Sequence, residues 1–330
     1  MSNPLDRLRN ATSSLLDRSR AAYSLRAEVM DLKQILEEAG GIIFNEGGAD
    51  IGSGETRTDA GVAISPTMAA MCVDDLARTV QFIRGIHDAI IDARDERPVR
   101  ILYAGCGPLA PLAIPLMSLF TADDVRFTML DIHENSIRSA ESIIRAFRFE
   151  DRVEGFEVGD AARFAFDSGE KPDIMIIEML RPGLASEPQV AVAINLGGQH
   201  PDSVLIPESV TVELALVNPG REFTTDGTEP GRDRINVGSV CTLDRRAILD
   251  GKLEPVVVAL PDFDAARYRP MLLTTLTVYG DHVLRDYDSG ITCPRPLRPN
   301  NVGPRDEIEF TYRCGADPHI HAERLIRSSQ

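Results

Sequence analysis

The chain has no tryptophan, so none of its binding loops can be built on an indole. Its five cysteines (Cys72, Cys106, Cys241, Cys293 and Cys314) are scattered and form no CxxC pair. That speaks against a disulfide framework or a zinc site and leads us to expect a reducing, cytoplasmic setting. Basic residues are outnumbered, 35 against 51 acidic, for a formal charge of −16. Nucleic acid and anionic membrane surfaces are therefore poor partners, since both demand clustered Lys and Arg. No apolar run is as long as a membrane span, and no signal peptide is expected at the amino terminus. What remains is 330 residues, 43% of them hydrophobic, enough for two domains or one large domain with additions. A soluble enzyme fits this balance, and a cationic substrate fits it slightly better.

Leucines and valines at roughly helical spacing (Leu5, Leu8, Leu15, Leu25, Val29, Leu32, Leu36) predict helix over 4–39, stopped by Gly40 and Gly41. This segment is expected to pack on the domain or on a second subunit. Residues 45–64 are rich in Gly, Asp and Thr and read as a long loop, either a lid or a linker. Ser65 followed by Pro66 is a helix start, a hydroxyl cap before a proline at the first helical position. The spacing of Met68, Met71, Leu76, Val80, Ile83, Ile86 and Ile90 predicts one helix running to about Asp95.

Strand and helix patterns then alternate. Strands are predicted at 99–104, 125–130, 153–158 and 173–177, and helices at 109–119 and 134–148, with a short helix between Asp160 and Asp173. Such alternation implies a parallel sheet flanked by helices, and right-handed crossovers place the strand ends along one edge. The first strand ends in Gly105, Cys106 and Gly107, where glycine lets backbone approach a ligand closely. The other strands end at Asp131, at Gly159 and Asp160, and at Glu178. A carboxylate at the tip of the second strand is where such folds hold a ribose. The third glycine of the dinucleotide fingerprint is missing, because Leu109 and Ala110 occupy that region. With no basic residue in the loop either, a nucleoside with a small polar tail suits the site better than a pyrophosphate. After residue 204 the texture changes to β-rich runs at 210–217, 235–243, 254–260, 271–279 and 307–313, expected to form an antiparallel sheet or barrel.

The string Tyr-Ala-Gly-Cys-Gly at 103–107, Asp131 and Val-Gly-Asp at 158–160 together resemble the cofactor motifs of class I S-adenosylmethionine methyltransferases. The resemblance implies that Gly105, Cys106 and Gly107 underlie the methionine part of S-adenosyl-L-methionine. It further implies that Asp131, with Ile132 beside it, takes the ribose hydroxyls, and that Asp160 and Ala161 face the adenine. Tyr103 departs from the acidic residue usual on that strand. Glu178 and Glu187 stand nine positions apart across a short loop and resemble the double-glutamate loop of the protein arginine methyltransferases. In that resemblance Arg78 holds the cofactor carboxylate, and residues 201–217 pass from the Rossmann-like domain into a barrel. The family's Thr-His-Trp loop has no match; Ser-Gly-Ile-Thr at 289–292 occupies its place.

A guanidinium is planar, permanently charged and bidentate toward carboxylates, so two glutamates can fix its plane and aim one nitrogen. The alternative for Glu187 is a solvated loop residue ahead of a helix starting at Pro188. Other candidates are weaker. His319 and His321 have metal-like spacing but no third ligand. His133 is a nucleoside contact or a helix-start residue. His282 is a base or an exposed turn residue. Cys106 is explained by small packing.

The expected plan is thus α/β: a helical segment and loop at 1–64, a Rossmann-like methyltransferase core at 65–204, and a C-terminal antiparallel β-barrel at 205–330 for substrate and dimerisation. The expected catalytic pair is Glu178 and Glu187, and no metal is expected. The implied acceptor is a guanidinium nitrogen, of free arginine rather than a peptide, similar in this respect to the arginine N-methyltransferases of streptozotocin-type nitrosourea biosynthesis. Family precedent implies a homodimer, with the amino-terminal helix or an insert near 221–234 or 262–270 at the interface. The alternatives are methyl transfer to a protein arginine or to another small amine, oxygen or carbon acceptor, a nicotianamine-synthase-like aminopropyl transfer suggested by Gly105, Gly107, Pro108 and Leu109, and a non-catalytic cofactor sensor.

Overall fold

The computed structural model describes residues 3–41, 54–167, 169, 171–222, 232–298 and 302–325. In chain order the helices are α1 (Pro4–Leu16), α2 (Arg26–Gly40), α3 (Pro66–Met71), α4 (Leu76–Ala93), α5 (Ile114–Met117), α6 (Glu134–Phe147), α7 (Gln189–Gln199), α8 (Pro219–Glu222) and α9 (Arg245–Asp250). The strands of the first half are β1 (Thr56–Thr58), β2 (Gly61–Ala63), β3 (Val99–Ala104), β4 (Val125–Asp131), β5 (Val153–Val158), β6 (Ile174–Ile177) and β7 (Val204–Ile206). Those of the second half are β8 (Ser209–Val217), β9 (Arg234–Leu243), β10 (Val256–Ala259), β11 (Arg269–Tyr279), β12 (His282–Leu284), β13 (Arg295–Pro296), β14 (Glu307–Arg313) and β15 (His319–Leu325).

Five strands form one parallel sheet in the order β5-β4-β3-β6-β7. Counted along the chain this is 3-2-1-4-5, the doubly wound Rossmann-like order, and the order reverses between β3 and β6. β6, and β3 from Ile101 to Ala104, are continuous apolar runs because both faces are covered there, while β4 keeps Arg126 and Thr128 half-buried between its apolar residues. All four residues of β6 are buried, and Phe127 and Met129 of β4 are fully buried. Burying one such side chain contributes about 1.5–3 kcal/mol. Helix α6 packs on β4 and β5, and α7 packs on β6.

The amino-terminal segment is two helices, not one. Asp17 ends α1 in extended backbone, and Gly41 ends α2 in the left-handed conformation. The pair packs on this chain's own core, with α1 against α4 and α2 against α6. The helix expected over 65–95 is likewise divided. Ser65 caps α3 as expected, but the Asp75 side chain accepts from Arg78 N and starts a second helix, α4. The helix expected at 109–119 shrinks to four residues. Pro108, Pro111 and Pro115 are spaced so that each removes a donor and blocks the preceding turn. Helix α7 begins where the alternative reading of Glu187 put a helix start, the short helix expected between Asp160 and Asp173 is not formed among the described residues, and strand β15 was not foreseen.

Among the described residues the second half does not close into the expected barrel. Among the described residues it makes two open antiparallel sheets, β12-β11-β8-β9 with β13 on β11, and β10-β14-β15. β8 pairs β11 on one edge and β9 on the other, and no hydrogen-bonded pairing joins β9 to the three-stranded sheet. Alternation of apolar residues says that a strand is half-buried, but closure depends on edge pairing, which alternation does not encode. Most of the expected insert near 221–234, and the opening of the 45–64 loop, fall outside the described residues. No helix among the described residues is long and apolar enough to cross a membrane.

Candidate active site

The carboxyl ends of β3, β4, β5 and β6 open into one cleft. All ten residues singled out from the sequence line it: Arg78, Gly105, Cys106, Gly107, Asp131, Ile132, Asp160, Ala161, Glu178 and Glu187. The cleft lies at the reversal of strand order between β3 and β6, where sheets of this kind leave a crevice.

Backbone geometry shapes its floor. Gly105 has φ +74°, and a Cβ there would come within 2.9 Å of Met179 Cγ. Gly105 and Cys106 both donate their amides to Leu130 O, at 2.8 and 3.2 Å, which clamps the turn to β4. Asp131, at the tip of β4, is 7% exposed. Its Oδ2 accepts from Gly107 N at 2.9 Å and its Oδ1 from His133 N at 2.8 Å. Each carboxylate oxygen keeps a second acceptor site, so Asp131 is held rigidly yet can still accept from a diol. Asp160 Oδ1 accepts from Ala162 N at 2.9 Å, and Ala161 O accepts from Asn195 of α7 at 2.9 Å. Burial pushes the Tyr103 phenol and the Cys106 thiol well above their ordinary pKa values, so both stay neutral and Cys106 acts as small packing.

Glu178 and Glu187 are 6% and 7% exposed, so Glu187 is not the solvated loop residue of the alternative reading. It does precede a helix, α7, but its carboxyl is buried in the cleft. Glu178 is ion-paired through Oε2 with Arg78 of α4, and its buried Oε1 has no hydrogen-bond partner among the described residues. Glu187 Oε1 accepts from Arg181 Nε at 3.1 Å. Burial raises the Glu187 pKa, opposed by the nearby Arg181 and Arg78.

The loop between the glutamates is held from several sides. Gln189 accepts from Met179 N at 3.0 Å and donates to Ile177 O at 2.9 Å, fixing the backbone on both sides of Glu178. Tyr312 of β14 donates to Leu184 O at 2.9 Å, and Ser186 N donates to Pro318 O at 2.7 Å. Leu184 and Ser186 sit at φ +54° and +66°. Such conformations cost non-glycine residues roughly 1–2 kcal/mol each and persist where the surroundings enforce them.

The hairpin β1–β2 closes one side of the cleft, so the described part of the 45–64 loop is ordered structure and not a linker. Val62 N donates to Ser186 O at 2.8 Å, and Thr56 Oγ1 shares a hydrogen bond with His133 Nε2 at 3.1 Å. Gly61 lies so close to the loop that a Cβ would meet Ser186 O at 2.8 Å. Asp59 pairs with Arg163 on the far side. The sequence carried a signal for this hairpin, a Thr-Asp-Ala-Gly turn at 58–61. Gln189 and Arg181 carried none beyond their neighbourhood to the glutamates, and Tyr312, remote in sequence, carried none at all.

Residues 289–292 do not line the cleft. Ser289 Oγ and Gly290 N donate to Asp75 Oδ2 at 2.7 and 2.8 Å, tying the antiparallel layer to the start of α4 just before Arg78. His282 is neither exposed nor near the cleft. It is 9% exposed, and its Nε2 lies 2.7 Å from Asp88 Oδ2 of α4. His319 and His321 lie on β15, and no metal-binding cluster occurs among the described residues.

No protein-family model matches the chain, and no curated protein matches it. Among solved structures it is similar to the Trypanosoma brucei PRMT1 enzyme-prozyme heterotetrameric complex with AdoHcy. That match has 13% identity and a TM-score of 0.47, and covers 78% of this chain and 98% of the other. At that distance the likeness carries nothing about activity or partners.

Proposed function

We propose that the protein is an S-adenosylmethionine-dependent N-methyltransferase acting on a guanidinium nitrogen, most simply that of free L-arginine. The observation that carries this reading is the pairing of two buried glutamates on one cleft wall with a nucleoside-type floor opposite. The buried Oε1 of Glu178, without a partner among the described residues, supports a cationic donor ligand on that wall.

The residues fit the cofactor. Asp131 offers acceptors to a ribose diol. The turn at Gly105 has no room for a side chain, which keeps the floor open to the methionine part. Arg78 would offer a cation to its carboxylate, and Asp160 with Ala161 would flank the adenine end. When bound, S-adenosylmethionine supplies an electrophilic methyl group on a positively charged sulfur. A wall bearing two carboxylates favours that charge as well as a guanidinium.

Glu178 and Glu187 each accept from guanidinium N–H groups, and the two contacts fix the plane and direction of one nitrogen. Positioning of this kind is worth up to roughly 7–11 kcal/mol of barrier for well-oriented reactants. The proton lost from the methylated nitrogen passes to a carboxylate oxygen of Glu187, whose proton affinity burial has raised. The hairpin β1–β2 and the strained loop exclude water from this wall.

The test separates binding from chemistry. Glu178→Gln and Glu187→Gln should bind S-adenosylmethionine by calorimetry with nearly wild-type affinity, yet lose at least roughly 100-fold in arginine methylation, a loss of about 2.7 kcal/mol in barrier lowering. Full activity in both variants would remove the guanidinium reading and favour another methyl acceptor. Transfer of an aminopropyl group in place of methyl would be read directly from product mass.

A further inference from the structure

Each cleft glutamate is held by an arginine of the chain itself. Arg78 pairs with Glu178, and Arg181 donates Nε to Glu187 Oε1 at 3.1 Å. Arg78 already has a place in the cofactor half of the site. Arg181, on the loop between the two glutamates, has none.

Its setting is asymmetric. The Glu187 side chain is 9% exposed while that of Arg181 is 46% exposed. The acid is therefore enclosed, and the arginine reaches it from the solvent side. The terminal nitrogens of Arg181 have no hydrogen-bond partner among the described residues. A second cation adjoins the same stretch: Arg295 of β13 is exposed and donates Nη1 to Pro182 O at 3.0 Å. In a chain of net charge −16, two arginines beside the acceptor loop are a local reversal of sign.

We propose that Arg181 is a specificity residue that exchanges partners. In the free protein it neutralises Glu187. In the complex it yields Glu187 to the acceptor guanidinium and pairs with a carboxylate carried by the acceptor itself. The proposal rests on the guanidinium reading above and deepens it by naming the residue that reads the carboxylate of a free amino-acid acceptor, with guanidinium at one end and carboxylate at the other.

An acceptor guanidinium competes with Arg181 for Glu187, and an acceptor without a carboxylate leaves Arg181 displaced and unpaired. An acceptor carboxylate gives Arg181 a bidentate guanidinium–carboxylate pair in place of its single Nε contact to Glu187. A peptide with basic neighbours meets Arg181 and Arg295 instead, and like charges repel it.

The experiment compares kcat/KM for L-arginine, L-arginine methyl ester and agmatine, which keeps the guanidinium and lacks the carboxylate. Wild type should prefer L-arginine over both analogues by roughly tenfold or more. In Arg181→Met that preference should collapse, chiefly through a higher KM for L-arginine, and Arg181→Lys should retain part of it. Calorimetric S-adenosylmethionine affinity and thermal melting check that each variant is folded. If Arg181→Met does not fold, the wild-type series together with Arg181→Lys decides. Equal use of agmatine and L-arginine by wild type, or an unchanged ratio in the variants, overturns the proposal. Absence of methylation on any guanidinium by wild type that binds S-adenosylmethionine overturns the underlying reading instead.

Discussion

Arg78 and Glu178, one hundred residues apart in the chain, meet as an ion pair in the cleft, with side chains 15% and 3% exposed. One belongs to the start of α4 and the other to the end of β6, so the pair joins the helix preceding the sheet to the strand at its switch point. Removing one partner of a buried pair costs about 3–5 kcal/mol, because the remaining charge is left uncompensated. Arg78→Met should therefore lower the unfolding free energy by that amount. The double variant Arg78→Met/Glu178→Gln should recover much of the loss. Urea unfolding of the cycle checks this, and additive losses would contradict it.

On the proposed function the same pair would couple the binding events. While Arg78 holds Glu178 Oε2, only Oε1 of that carboxylate is open to an acceptor. A cofactor carboxylate that engaged Arg78 would free Oε2 as well. L-arginine should bind at least roughly tenfold more tightly in the presence of S-adenosylhomocysteine than without it. Titration calorimetry in both orders measures the coupling, and equal affinities would count against the exchange.

Asp131 fixes the amides of Gly107 and His133. Asp131→Ala should abolish measurable S-adenosylmethionine binding. It also strands two donors, at about 1–3 kcal/mol each where they stay buried. Affinity that survives in a folded variant would remove the ribose role.

Glu187 costs stability in the service of the site. Its pKa in the folded protein is raised by burial. Between the ordinary glutamate range and that raised value, the folded state binds more protons than the unfolded state. Stability contributed by this group is therefore present at low pH and lost as pH rises through the folded pKa. Glu187→Gln should match wild type below the ordinary glutamate range, exceed it as pH rises through the raised folded pKa, and hold a constant advantage above it. Urea midpoints across that range check the sign, and a variant that loses ground with rising pH would contradict it.

The loop clamp from the antiparallel layer is testable through Tyr312. Its hydroxyl donates to Leu184 O beside the strained Leu184 and Ser186. Tyr312→Phe removes that donor without touching the cofactor floor. It should lower kcat several-fold and cost about 1 kcal/mol in stability, with S-adenosylmethionine affinity unchanged. Unaltered turnover would mean that the clamp is dispensable.

The parallel core was legible because its strands are short apolar runs ending in residues of distinctive chemistry. Gly105, Asp131, Asp160 and Glu178 each mark a strand end, and the crossover rule alone gathers them on one edge. The helices were less legible where caps and prolines interrupt an apolar stripe, as Asp75 does before α4 and Pro111 and Pro115 do around α5. What sequence could not give was pairing across long separations. Tyr312 to Leu184, Val62 to Ser186 and Arg78 to Glu178 depend on which edges and loops meet in space, and no periodicity records that. Closure into a barrel was not legible for the same reason, since β8 and β11 alternate as barrel strands do while among the described residues the two sheets are open.

The most direct measurement incubates the purified chain with S-adenosylmethionine and free L-arginine and follows the product by mass spectrometry with fragmentation, with Glu178→Gln in parallel. Wild type should yield S-adenosylhomocysteine and arginine heavier by one methylene unit, with the added carbon on the guanidinium fragment, and the variant should yield neither above background. Bound S-adenosylmethionine with no methylated guanidinium, or a product methylated elsewhere, would contradict the account.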